Sequence, residues 1–124
     1  MTETDVAEAA KPWDGATVRT WLEKRVVAAR ADQVTAERAG RGSQDDCDKA
    51  AAEEMVCATL RGGNAADTQA AFIDALKQLL DREDYVWRGV YDDLRFDRHV
   101  RAYVRKLLRM GRDNNGFHQT RHFQ

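Results

Sequence analysis

Arginine is the residue whose spacing promises chemistry in this chain. Arg98, Arg101, Arg105, Arg109 and Arg112 recur at three- and four-residue intervals. Placed at ~100° per residue on a helix, they fall within about a quarter turn of one another. Such a row of guanidinium groups can meet the carboxylates of an acidic protein surface, or the successive phosphates of a nucleic acid. Fifteen of the 20 basic residues are arginine, which favours planar, bidentate recognition over point-charge attraction. Phe117 and Phe123 follow in the polar stretch RDNNGFHQTRHFQ. They read as exposed aromatic anchors beside the arginines, a pairing common at interface hot spots. The alternative for them is to fold back over the core.

Other candidate groups carry less. The segment DDLRFDRH gathers Asp92, Asp93, Asp97 and His99, and carboxylates with a histidine can bind a metal or share acid–base work. Asp92 and Asp93 are adjacent, so they diverge on a helix, and Asp97 has a helix end to cap. His118 and His122 have i, i+4 spacing, which ligates a metal only on a helix. Their surroundings contain glycine and asparagine, and no third ligand is apparent. Cys47 and Cys57 lie ten residues apart on one expected helix, about 15 Å at ~1.5 Å per residue and beyond disulfide reach. Free thiols suit a reducing compartment. The chain contains no phosphate-cradling glycine loop, nucleophile elbow or HExxH. It is expected not to be an enzyme and to carry neither cofactor nor metal.

The arginine row needs a helix beneath it. Val100, Tyr103, Val104, Leu107 and Met110 supply the opposite, apolar face, with Asp97 expected as N-cap and Gly111 at the left-handed C′ position. Trp87, Val90, Tyr91 and Leu94 share an upstream stripe of different phase, so a corner is expected near Arg95–Asp97. Earlier in the chain, Asp14 or Thr17 starts a helix running to about Ala39, with Val18, Trp21, Leu22, Val26 and Ala29 inside. Its pattern weakens to Gln33, Ala36 and Gly40, an end expected to project or fray. A turn at Gly40–Ser43 leads to a second helix at about Gln44–Arg61. That helix places Cys47, Ala50, Ala51, Met55 and Ala58 on one side, and Asp45, Asp48, Glu53 and Asp46 outward. After Gly62-Gly63, Asn64 is expected to cap a third helix to about Arg82, with Asp67 at N3 and Phe72, Ile73, Leu76, Leu79 and Leu80 on its core face. A DNA-reading helix-turn-helix at the glycine pair is excluded. Its recognition helix would carry Asp67, Asp74 and Asp81 against Lys77, a poor match to phosphates.

The totals fit these elements. A chain of 124 residues with 19 alanines and a single proline, Pro12, suits one all-α domain. The expected architecture is a compact bundle of about five helices over residues 13–111. A mobile acidic tail (1–12) and a short polar tail (112–124) flank it. The net charge of −1 hides an asymmetry, with +6 on residues 98–124 and −7 on residues 1–97. Opposite patches can steer a partner or draw copies together. A pI of about 6.3 is far below the >9 typical of a basic nucleic-acid domain. No apolar run approaches the ~18 residues of a membrane span. The N-terminus is acidic and lacks an apolar signal-peptide core, so a cytoplasmic location is expected. These features together suggest a small helical adaptor or regulator that meets an acidic protein surface. Its contacts would be Arg98, Arg101, Arg105, Arg109, Arg112, Phe117 and Phe123. The alternative is a nucleic-acid-associated subunit that grips a phosphate backbone with the same stripe.

Overall fold

A computed structural model describes residues 12–40, 44–81 and 94–117. They form four helices, and no strand occurs among the described residues: α1 (Gly15–Ala39), α2 (Gln44–Arg61), α3 (Gln69–Asp81) and α4 (Leu94–Asp113). The all-α class agrees with the sequence, although the described helices number four rather than five. Trp87, Val90 and Tyr91, expected on a further helix, lie outside the described residues.

Asp14 starts α1 as its N-cap, its Oδ1 accepting from the amides of Ala16 at 3.1 Å and Thr17 at 3.4 Å. Those amides would otherwise be orphaned at the helix end. Gly15 follows because the turn after α2 presses against it. A Cβ there would sit 2.8 Å from the Ala66 carbonyl oxygen and 3.2 Å from the Asp67 Cα. The same carbonyl accepts the Trp13 indole N–H at 2.8 Å, so it has little room to move. Gly15→Ala therefore sets a helix-propensity gain of up to ~1 kcal/mol against an overpacking cost of ~1–3 kcal/mol. Clash with backbone rather than a pliable side chain makes the cost win. Urea unfolding of the variant is expected to show a lower midpoint than the parent.

α2 is the central helix, packed against both α1 and α4. Its alanines permit that two-sided approach: Ala50, Ala51, Ala52, Val56, Cys57 and Leu60 are buried. A single inner stripe is therefore too narrow a description. Asp48, expected to face outward, is only 5% exposed. Its carboxylate accepts from Gln44 Nε2 at 2.9 Å.

The far end of α1 does not project freely. Ala36 is buried, and Gln33 donates to Glu54 on α2 at 2.6 Å. Polar ties replace the fading apolar stripe there. Arg30 also pairs with Glu54 at 2.6 Å; burial works against that carboxylate's charge, but Arg30 and Gln33 outweigh it and lower its pKa.

α3 begins at Gln69 rather than just after Asn64. Thr68 is its cap, with Oγ1 accepting from the Ala71 amide at 3.1 Å. Asn64 instead closes a preceding turn through its carbonyl, which accepts from the Asp67 amide at 3.1 Å. Asp67 pairs with Arg19 instead of supporting a capping box. Phe72, Leu76 and Leu79 are buried, with Ile73 and Leu80 at the margin.

α4 differs from expectation at both ends. It starts at Leu94, so Asp97 lies inside the first turn and accepts from Arg101 Nε at 2.9 Å; it is not the N-cap. Gly111 is helical, and a Cβ there would lie 2.9 Å from the Phe72 ring. Helix-to-helix contact, not a left-handed cap, explains this glycine. The true C-terminus is a Schellman reversal. Asn115 N–H donates to Met110 O at 3.1 Å, and Asn114 N–H donates to Gly111 O at 3.4 Å. Asn114 takes the left-handed position at φ 50°, followed by Gly116 at φ 97°. The chain then returns Phe117 to the core, so the packed unit continues beyond the expected boundary at Gly111.

Candidate interaction surface on the last helix

α4 separates two chemistries around its axis. Phe96, Val100, Tyr103, Val104, Leu107 and Leu108 are buried, while Arg98, Arg105, Arg109 and Arg112 are exposed. Among the described residues outside α4, Arg19 pairs with Asp67, Arg25 with Glu53, Arg30 with Glu54 and Arg61 with Glu23, while Arg38 is exposed with no acidic partner. Among the described residues, the four exposed arginines of α4 have no acidic partner. The row is a cationic face without compensating acids among the described residues.

Arg101 does not belong to that face in the expected way. Besides its bond to Asp97, it donates through Nη1 to the Leu80 carbonyl at 2.9 Å, satisfying an orphan acceptor near the end of α3. It is a fastening between helices. Phe117, expected as an exposed anchor, is wholly buried. Its ring meets Trp13, Trp21 and Phe72 edge-on at 5.7, 5.2 and 5.5 Å. The reversal at Asn114 turns it inward, and its role is packing. Phe123, His118 and His122 lie outside the described residues.

The Asp97–His99 pair does not converge on a site. Asp97 faces Arg101, whereas His99 Nε2 lies 2.9 Å from Asp45 on α2. Asp92 and Asp93 lie outside the described residues. No group of three or more potential metal ligands occurs among the described residues.

No protein-family model, curated protein or solved structure matches this chain.

Beside the arginine row, where α1, α2 and α4 meet, lies a groove of about 510 Å³. Trp21, Tyr103 and Met110 line it, with Arg25, Glu53, Lys106, Arg109 and Asp113 around them. Sequence periodicity missed the groove because its walls come from three helices. Beneath it, Cys57 Sγ and the Tyr103 hydroxyl share a hydrogen bond of 3.3 Å. Burial pushes the Cys57 thiol up to about 11, against smaller lowering effects of Tyr103 and Arg25. It also raises the Tyr103 phenol, which the neighbouring Cys57 raises further. Burial alone would discourage the Arg25 charge, but the Tyr103 hydroxyl and Glu53 more than offset it and raise its pKa.

These shifts carry a pH consequence. Above the ordinary thiol value of 9.0, Cys57 ionises in the unfolded chain but stays protonated in the fold. The unfolded state then binds fewer protons, so stability falls as pH rises from about 9 to about 11. The loss from Cys57 is roughly 2–3 kcal/mol at ~1.4 kcal/mol per pH unit. Denaturant midpoints measured across this range should fall, and Cys57→Ala should flatten the fall. No fall in the parent would contradict the burial of this pair.

Among the described residues, no helix is long and apolar enough to cross a membrane.

Proposed function

We propose that this protein is a small helical adaptor or regulator whose α4 face binds an acidic surface on another protein. One observation carries the reading: among the described residues, Arg98, Arg105, Arg109 and Arg112 are exposed on one helix face with no acidic partner, whereas Arg19, Arg25, Arg30 and Arg61 are matched by acids. Guanidinium groups left without internal partners remain available for bidentate carboxylate contacts. Arg101 and Phe117 support the surface from behind, one by fixing α4 to α3 and the other by locking the end of α4 onto the core.

Protein rather than nucleic acid is favoured by what surrounds the stripe. Exposed Asp45, Asp46, Asp74 and Asp81 occupy the other helices, and the net charge is −1. A long phosphate backbone would be repelled beyond the stripe's edges. Fluorescent single- and double-stranded oligonucleotides titrated at ~50 and ~200 mM salt test the choice. Weak or absent binding is expected even at the lower salt. Tight binding that falls on the order of a hundredfold between the two would assign the stripe to four or so phosphate contacts and overturn the protein reading.

A further inference from the structure

We infer that the outward face of α1 pairs two copies of this chain side by side, with their α1 helices parallel. Among the described residues, Val27 and Val34 are the exposed large hydrophobic side chains, 66% and 45% accessible. They lie seven residues apart, about two helical turns or ~10 Å. At ~100° per residue, Thr20, Val27, Ala31, Val34 and Arg38 fall within about a sixth of a turn. Val18, Ala29 and Ala36, all buried, sit on the opposite side of the same helix. The valines therefore face directly away from the core, and nothing inside the fold rewards them. Valine is a weaker helix former than alanine, lysine or glutamate, and in water it leaves apolar surface uncovered. A seven-residue apolar repeat on an exposed face is the spacing that seats one helix along another.

The charges beside this seam select its occupant. Glu23 and Glu37 lie on one side of the valine line, Lys24 and Arg38 on the other, and all four are exposed. When a second copy lies parallel, each flank meets the opposite flank. Glu23 then stands beside Lys24 of the second copy and Glu37 beside its Arg38, and the two-fold axis repeats both pairs. Antiparallel copies would set Glu23 against Glu37 and Lys24 against Arg38, like against like. The seam is self-complementary in one orientation, as an isologous interface requires. Among the described residues, Lys24, Glu37 and Arg38 have no ion-pair partner within the chain. Glu23 accepts from Arg61, and its carboxylate keeps acceptor capacity for a second donor. A seam with two valines per copy is smaller than a permanent dimer needs, so pairing is reversible, with a dissociation constant on the order of 10–100 µM.

No residue of this seam belongs to α4, so pairing does not draw on the arginine face. Sedimentation equilibrium of the full chain from ~5 µM to ~0.5 mM is the test, because a reversible dimer follows mass action. The mass should rise from 14.1 kDa toward twice that. Val27→Lys combined with Val34→Lys should weaken pairing at least roughly tenfold, since it sets like charges across the seam. Helical content should persist, because lysine suits an exposed helix at least as well as valine. Arg98→Glu should leave pairing unchanged. Orientation is read by oxidising cysteine variants in a Cys47→Ser background. Val34→Cys should cross-link, because parallel copies bring this position against itself. Asp32→Cys, about 140° around the helix from Val27, should not. Four results would each overturn parallel pairing through α1: a mass fixed at 14.1 kDa at the highest concentration, pairing that survives both lysines, pairing lost in Arg98→Glu, or Val27→Cys and Val34→Cys chains that cross-link only with each other, the mark of an antiparallel pair.

Discussion

Phe117→Ala is expected to lower stability by about 3–5 kcal/mol, the range for truncating a buried aromatic, and the melting temperature by roughly 10–20 °C. The side chain is fully buried and is the ring shared by Trp13, Trp21 and Phe72. Edge-to-face contacts of this kind add ~0.5–1.5 kcal/mol each beyond area burial. Trp13 and Phe72 are themselves 5.3 Å apart and cannot both close on the vacated space without shifting α1 against α3. A domain of this size has a total stability on the order of 10 kcal/mol, so the loss is a large fraction of it. Thermal unfolding followed by circular dichroism checks the prediction. A change below ~1 kcal/mol would place Phe117 on the surface and restore it as a candidate contact.

Phe117 also shows where sequence reasoning stops. Local signals identified what local physics decides. Asp14 caps α1, Gln44–Arg61 forms α2, and Val18, Trp21, Leu22, Val26 and Ala29 face inward, because capping geometry and helical periodicity are properties of neighbouring residues. The burial of Phe117 depends on a left-handed reversal at Asn114 that delivers it to rings far away in the chain. An asparagine after the last helical turn was the available signal for that reversal. Gly111 looked like the end of a helix because glycine suits a C-cap, yet it serves a close approach to Phe72 that only tertiary packing reveals. The burial of Asp48 was likewise not visible in the spacing of its own helix.

The arginine face was legible in outline but not in membership. Spacing alone grouped Arg101 with Arg98, Arg105, Arg109 and Arg112. The position of the Leu80 carbonyl, twenty-one residues away, removes it from the free set. Which arginines find acids elsewhere in the fold is a matter of helix register between α1 and α2, and no wheel drawn on one helix contains that information.

Reversing charge at Arg98, Arg105 and Arg112 together is expected to abolish partner binding, with a loss of at least roughly a hundredfold in affinity. Each exposed contact removed costs modestly, but glutamate in its place sets like charges against an acidic partner, and such juxtaposition costs several kcal/mol. Association should slow as well, because the stripe supplies the long-range attraction. The fold should survive. These three side chains are exposed and have no acidic partner among the described residues, and surface changes of this type usually move stability by less than ~0.5 kcal/mol each.

The most direct measurement is a side-by-side affinity capture with the parent and the triple variant Arg98→Glu, Arg105→Glu, Arg112→Glu, with helical content recorded for both. Proteins with acidic surfaces captured by the parent and lost by an equally helical variant would establish α4 as the binding face. Capture of the same proteins by both would contradict that assignment and move the interaction to another side of the bundle.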